Sequence, residues 1–146
     1  MKGYKDEQVI NGSWGEVWVD DNYMAEATAL KAEVSVKTTS IARIQTLTDG
    51  QKITGYEGKG ELKLHKVSSF VMNKMSTSLK AGKMPSATIV SNLKDPDALG
   101  AERVALYNCV FDKLILADWE SGKMGEESYS FTFTDWKLID TIKSSS

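Results

Sequence analysis

Side chains able to do chemistry are sparse in this sequence. Cys109 is the lone cysteine and sits in the apolar run RVALYNCVFDKL with no histidine near it in sequence, which suits a buried thiol better than a nucleophile. His65, the lone histidine, falls in the alternating segment ELKLHKV, where a surface or strand position fits it better than metal ligation. One histidine and one cysteine cannot build the usual His/Cys-rich zinc set, and a single cysteine excludes an intramolecular disulfide. The stretch DWESGKMGEE gathers Asp118, Glu120, Glu126 and Glu127. Such carboxylates suit a hard cation, an acid/base pair or plain solubility, and no converging reactive group selects among these. GYEGKGE has neither the spacing nor the following helix of a phosphate or dinucleotide cradle, so its glycines are expected in turns. No Walker loop, HExxH helix or GxSxG elbow is present, and no catalytic residue, cofactor or metal site is expected.

The elements that must carry these residues are mostly short strands. At 146 residues and 16.1 kDa, with 41% hydrophobic residues, the chain fits one domain with a real core. GSWGEVWVDDN alternates and then reaches Asp20, Asp21 and Asn22, a strand running into a hairpin turn. In ALKAEVSVKTT, Leu30, Ala32, Val34 and Val36 share one face and Lys31, Glu33, Ser35 and Lys37 the other. Four glycines loosen TLTDGQKITGYEGKG, the expected site of a long loop or protruding hairpin, in which function can concentrate. VSSFVMNKMSTSLKAGK predicts a helix capped by Ser68 or Ser69, with Phe70, Val71, Met75 and Leu79 as its apolar stripe and Gly82 near its exit. The methionines Met72, Met75 and Met84 are expected to fill the core. SATIVSNL and RVALYNCVFDKL read as strands separated by the turn-like KDPDALGAE, and the second has two largely apolar faces. SYSFTFTDW is sharply two-sided. Tyr129, Phe131 and Phe133 oppose Ser128, Ser130, Thr132 and Thr134, and the hydroxyl face must meet water or a hydrated channel.

Eighteen basic and twenty acidic residues give a net charge of −2, which does not favour a grip on nucleic-acid phosphates by the chain as a whole. Locally, Lys59, Lys63, Lys66, Lys74, Lys80 and Lys83 face only Glu61, while the later part is acidic. These complementary regions suit packing between identical subunits or two solvated faces. The lysines also leave open a small β-rich nucleic-acid-binding module, although interleaved aromatics for base stacking are missing. The amino-terminal MKGYKDEQVINGSWG lacks the apolar run of a secretion signal, and no segment approaches the roughly 20 apolar residues of a membrane span. A product soluble when made, with no membrane partner, is expected.

Three stretches in order, NGSWGEVWVDDNYMAEATALKAEV, ITGYEGKGELKLHKV and NLKDPDALGAERVALYNCVFDKLILADWESGKMGEESYSFTFTDWKLID, resemble the tail tube proteins of contractile-tailed phages and phage-like elements, in particular the PBSX group. The resemblance spans nearly the whole chain. It implies a mainly β protein, an antiparallel sandwich or barrel with one flanking helix and a long extended loop, over residues 1–146 as a single domain. It further implies hexameric rings of this chain stacked into the inner tube of a tail, with an assembly loop at 40–59. Tail sheath, tape-measure and baseplate or terminator proteins are the implied partners. DNA would pass transiently without specific binding in a true phage, and a phage-tail-like bacteriocin would deliver no genome. Synthesis in the bacterial host cytoplasm and residence in a virion tail or phage-tail-like particle follow.

By the same resemblance, Thr54, Gly55, Tyr56, Glu57, Gly58, Lys59 and Gly60 match the end of the extended loop and are expected in inter-ring contact. Asp95, Pro96, Asp97, Gly100, Glu102 and Arg103 match a structural turn into a later strand. The hydroxyls of Ser128, Ser130, Thr132 and Thr134 are the candidate lumen face, since small hydrated groups avoid both apolar adhesion and the phosphate binding of a lysine-lined channel.

Overall fold

A computed structural model describes residues 5–8, 12–42, 44, 50–67, 69–98 and 100–142. They form one antiparallel sheet of eight strands and a single α-helix: β1 (Gly15–Val19), β2 (Asn22–Tyr23), β3 (Ala27–Ile41), β4 (Gly50–His65), α1 (Phe70–Lys80), β5 (Ser86–Leu93), β6 (Glu102–Phe111), β7 (Glu126–Phe133) and β8 (Asp135–Asp140). The strand order is β2-β1-β5-β6-β7-β4-β3, with β8 added along β6. Of the sandwich and barrel alternatives, the sheet is open and sandwich-like. β1, next to the short end strand β2, approaches the other end strand β3 across a cleft of about 590 Å³ and does not pair with it.

The β1–β2 turn shows how local chemistry sets the register. Asp20 and Asp21 both have positive φ, 48° and 67°, as a tight hairpin requires, and short acidic side chains tolerate this region better than bulky ones. Asp20 is held there because its Oδ1 accepts the Thr88 backbone N–H at 2.8 Å and its carboxylate pairs with Lys74 of the helix.

One layer of buried side chains covers the sheet. Val17 and Val19 of β1, Leu62 and Leu64 of β4, Ala87 and Ile89 of β5, Leu106, Cys109 and Phe111 of β6, and Tyr129, Phe131 and Phe133 of β7 meet Val71 and Met75 of the helix. Leu79 is half exposed and Met84 is three-quarters exposed, so the expected stripe loses its last turn and Met84 does not fill the core. Ser69 is the N-cap residue and makes no side-chain capping bond. Gly82, at φ 73°, lies just beyond the helix end.

The period-two pattern of β6 slips at Asn108, which has φ 56° and lies in a bulge where Tyr107 and Asn108 stand against Thr88 alone, between the pairs Ala87–Cys109 and Ile89–Leu106. Asn108 Nδ2 donates to Thr134 Oγ1 at 2.9 Å, and Thr134 N–H donates to the Tyr107 carbonyl at 3.3 Å. At this point the continuation of β7 turns away from β4 and follows β6 as β8.

Of the long loop or protruding hairpin expected around residues 40–59, the structure shows the hairpin and corrects the loop. Ser40 and Ile41 close β3, and residues 50–59 belong to β4, which pairs with β3 from Ala27 opposite Leu64 to Ile41 opposite Gly50. Residues 43 and 45–49 of the expected loop lie outside the described residues. Because β7 pairs with β4 only as far as Gly58 opposite Phe133, the far part of the hairpin leaves the sheet as a two-stranded arm. From Ser35 to Ile41 the arm extends roughly 20 Å. The Tyr56 ring packs edge-on to Trp136 at 5.5 Å where the arm departs.

The turn assignment for the glycines is also corrected. Gly55, Gly58 and Gly60 are interior residues of β4, and the Phe133 and Phe131 rings of β7 lie across Gly58 and Gly60. Absence of a Cβ lets aromatic side chains of one strand cover the backbone of its neighbour.

Candidate assembly surfaces

The face of the sheet opposite the core is polar and ordered in rows. Lys31 of β3 stands opposite Glu61 of β4, which stands opposite Ser130 of β7; in the next row Glu33 opposes Lys59 and Lys59 opposes Thr132. Lys59 and Glu57 approach to 3.5 Å and Lys31 and Glu33 to 4.0 Å, while Ser128 Oγ donates to Glu61 Oε1 at 2.5 Å. These exposed pairs add little stability. Their effect is electrostatic, since Lys31 and Lys59 each lie next to an anion, which interrupts a basic track for phosphates along these rows. Ser128 and Ser130 are half-buried in this face and Thr132 is exposed on it. Thr134 stands apart from them at the bend between β7 and β8.

The other expected site residues separate into two places. Thr54, Gly55, Tyr56 and Glu57 lie in the arm, where Thr54 Oγ1 donates to the Lys37 carbonyl at 3.3 Å. Gly58, Lys59 and Gly60 lie in the body of the sheet beside β7. Asp95, Pro96, Asp97 and Gly100 form the β5–β6 turn. Buried Asp95 accepts the Asp97 backbone N–H at 2.9 Å through its side chain and the Ala98 N–H at 3.1 Å through its carbonyl. Glu102 and Arg103 open β6 opposite Leu93 and Asn92, and Arg103 also faces Asp140 of β8.

The acids of DWESGKMGEE do not converge. Glu120 pairs with Lys123 at 3.1 Å on the surface, whereas Glu127 is buried, pairs with Lys66 at 2.8 Å and accepts the Tyr129 hydroxyl. Burial first, and then Glu127, pushes the Tyr129 phenol well above its ordinary range. Cys109 is fully buried, with its thiol pushed up to about 12 by burial and its Sγ directed at the Leu106 carbonyl at 3.4 Å. A thiol so protonated at neutral pH is no nucleophile.

Sequence reasoning missed the large apolar side chains left in solvent. Val36, Ile41 and Ile53 are exposed on the arm, Leu138 and Ile139 on β8, and Leu116, Trp119 and Met124 on the β6–β7 loop. The outer edges of β3 and β8 have no neighbouring strand among the described residues. The signal for the arm was its length, because 15 and 16 residues of paired strand exceed what an eight-residue β7 can cover.

An open antiparallel sheet with a projecting arm, unpaired edges, exposed apolar side chains and a core-buried thiol defines an assembling structural protein. The chain belongs to the phage tail tube protein family, whose model matches residues 2–140. It is a structural, tube-forming component of a phage or phage-like tail and not an enzyme. It is 32% identical over 145 residues to the phage-like element PBSX protein XkdM of Bacillus subtilis (strain 168), covering 94% of this chain and 98% of XkdM. Its fold matches a chain from the sheath/tube terminator of an extracellular contractile injection system, PVC, at TM-score 0.71 and 10% identity, over 90% of this chain and 96% of the other. A chain of the PVC sheath–tube complex in the extended state matches at TM-score 0.69 and 9% identity, over 94% and 100% of the two chains.

Proposed function

We propose that this chain closes into hexameric rings that stack as the inner tube of a contractile tail. The polar face of β3, β4 and β7 lines the bore, and the β3–β4 arm bridges one ring to the next. The arm is the observation that carries this reading. It continues two strands beyond the sheet that could cover them, with Val36, Ile41 and Ile53 in solvent, so its apolar surface and backbone edges gain partners only from another subunit. The hydroxyls of Ser128, Ser130 and Thr132, set beside Lys59 and Glu61, suit a bore through which a polyanion slides, because bound charges of both signs hold no phosphate run. Sheath proteins outside the tube, tape-measure protein within it and baseplate or terminator proteins at its ends are the partners this role requires. A functional phage would pass DNA through it, and a bacteriocin-like particle would use the same rigid core.

The nucleic-acid-module alternative gains little from the lysines. Lys66 and Lys74 are engaged by Glu127 and Asp20, and Lys59 is interleaved with Glu57 and Glu61. The arm supplies the test. Replacing residues 38–53 with Asn-Gly joins Lys37 to Thr54 by a tight turn and leaves every β4–β7 pair in place. The shortened chain should keep the circular dichroism and cooperative melting of the parent yet form no regular tubes by negative-stain microscopy. Regular tubes of parental length would sink the bridging role.

A further inference from the structure

Antiparallel connectivity gives the subunit two unlike ends. The arm runs past Lys37 and Lys52 to one end, which also carries the β5–β6 turn. The opposite end carries the helix connection and the β6–β7 loop, fixed to each other by the Lys66 N–H donating to the Gly125 carbonyl at 2.8 Å. Both ends are apolar where they meet solvent. On the arm, Ile41, Ile44 and Ile53 are 44%, 92% and 64% exposed; on the loop, Leu116, Trp119 and Met124 are 70%, 84% and 83% exposed. Six large apolar side chains this exposed, divided between opposite ends of one subunit, mark two surfaces awaiting cover.

Their charges are complementary. Among the described residues of the arm, 37–42, 44 and 50–54, the charged side chains are Lys37 and Lys52, whereas residues 112–126 carry Asp112, Asp118, Glu120 and Glu126 against Lys113 and Lys123. The loop also frames a groove of about 430 Å³ against the outward side of β4 and β7, lined by Lys63, Lys113, Ile115, Asp118, Glu126 and Ser128. A basic, apolar projection at one end is thus complementary to an acidic, apolar loop at the other, which stands beside a groove of mixed charge. A contact between different surfaces of identical chains is heterologous, and when placed at opposite ends it propagates as an open stack.

We infer that the β6–β7 loop, with Leu116, Trp119, Met124 and Asp118, is the acceptor for the arm of a subunit in the adjacent ring. This rests on the stacking role proposed above and assigns it a receiving surface. Lys52 lies about 40 Å along β4 from His65, where the loop returns to the sheet, so a zero-length bond between arm and loop cannot form within one chain.

Carbodiimide cross-linking of tubes isolated from assembled particles, read by peptide mass spectrometry, tests the assignment. Amide links should join Lys37 or Lys52 to Asp118, Glu120 or Glu126, and Lys52→Gln should remove its linked peptides. If the arm lysines link instead to carboxylates elsewhere on the tube protein or to a sheath protein, the acceptor assignment falls while a bridging arm stands. If they form no link between chains in regular tubes, the acceptor assignment falls as well. Normal tubes from the arm-shortened chain would remove the stacking role itself.

Discussion

Replacing Gly60 by valine should destabilise the monomer by about 3 kcal/mol, enough to leave a marginally stable domain partly unfolded. A Cβ at this position would stand 2.6 Å from Phe131 Cε2 and 2.7 Å from the Lys31 carbonyl oxygen. The first obstacle is a side chain that is almost fully buried and packed edge-on to Phe111, so it cannot swing aside into solvent. The second is backbone of the adjacent strand, and moving it strains the register between Ala32 and Gly60 in the body of the sheet. Urea unfolding followed by tryptophan fluorescence reads the loss as a lower midpoint at constant slope. Adding Phe131→Leu should recover only part of it, since the smaller side chain removes the ring but leaves the Lys31 carbonyl. Gly55, which has nothing within 4 Å of its Cβ position, should accept alanine with a change within about 0.5 kcal/mol.

Lys66→Ala should cost about 3 kcal/mol, and Glu127→Gln only about 1 kcal/mol. The asymmetry follows from burial. The Glu127 side chain is 4% exposed and Lys66 33% exposed, so removing the lysine strands a carboxylate away from water with the Tyr129 hydroxyl as its remaining partner. Removing the negative charge leaves an amide that still accepts from Tyr129, while the lysine turns its ammonium outward to solvent. Lys66 also sets the foot of the β6–β7 loop through its backbone bond to Gly125. The two variants therefore separate under thermal melting in the order Glu127→Gln above Lys66→Ala. Equal losses would show that the pair contributes through packing and not through a stranded charge.

Much of the sheet was legible because its physics is local. Alternation in ALKAEVSVKTT and SYSFTFTDW placed β3 and the two faces of β7, and the Asp20-Asp21 pair marked its hairpin because few residues accept a left-handed backbone there. What escaped depends on neighbours distant in sequence. Gly58 and Gly60 resemble turn residues until Phe133 and Phe131 are brought over them, so a strand interior reads as a loop. Alternation in β6 predicts Ala105, Tyr107, Cys109 and Phe111 on one side, but the Asn108 bulge places Leu106 with Cys109 in the core. Glu127 reads as one more surface acid because its partners Lys66 and Tyr129 are specified by cross-strand register and not by spacing. The expected site residues divide for the same reason: where β7 stops pairing with β4 decides which belong to the arm and which to the sheet.

The most direct measurement is a helical reconstruction by electron cryomicroscopy of tails containing this protein. Sixfold rings are expected, their bore lined by Ser128, Ser130 and Thr132 beside Lys59 and Glu61, with each β3–β4 arm crossing into the adjacent ring. A map that turns this face outward toward the sheath, or that leaves every arm within its own ring, would contradict this arrangement.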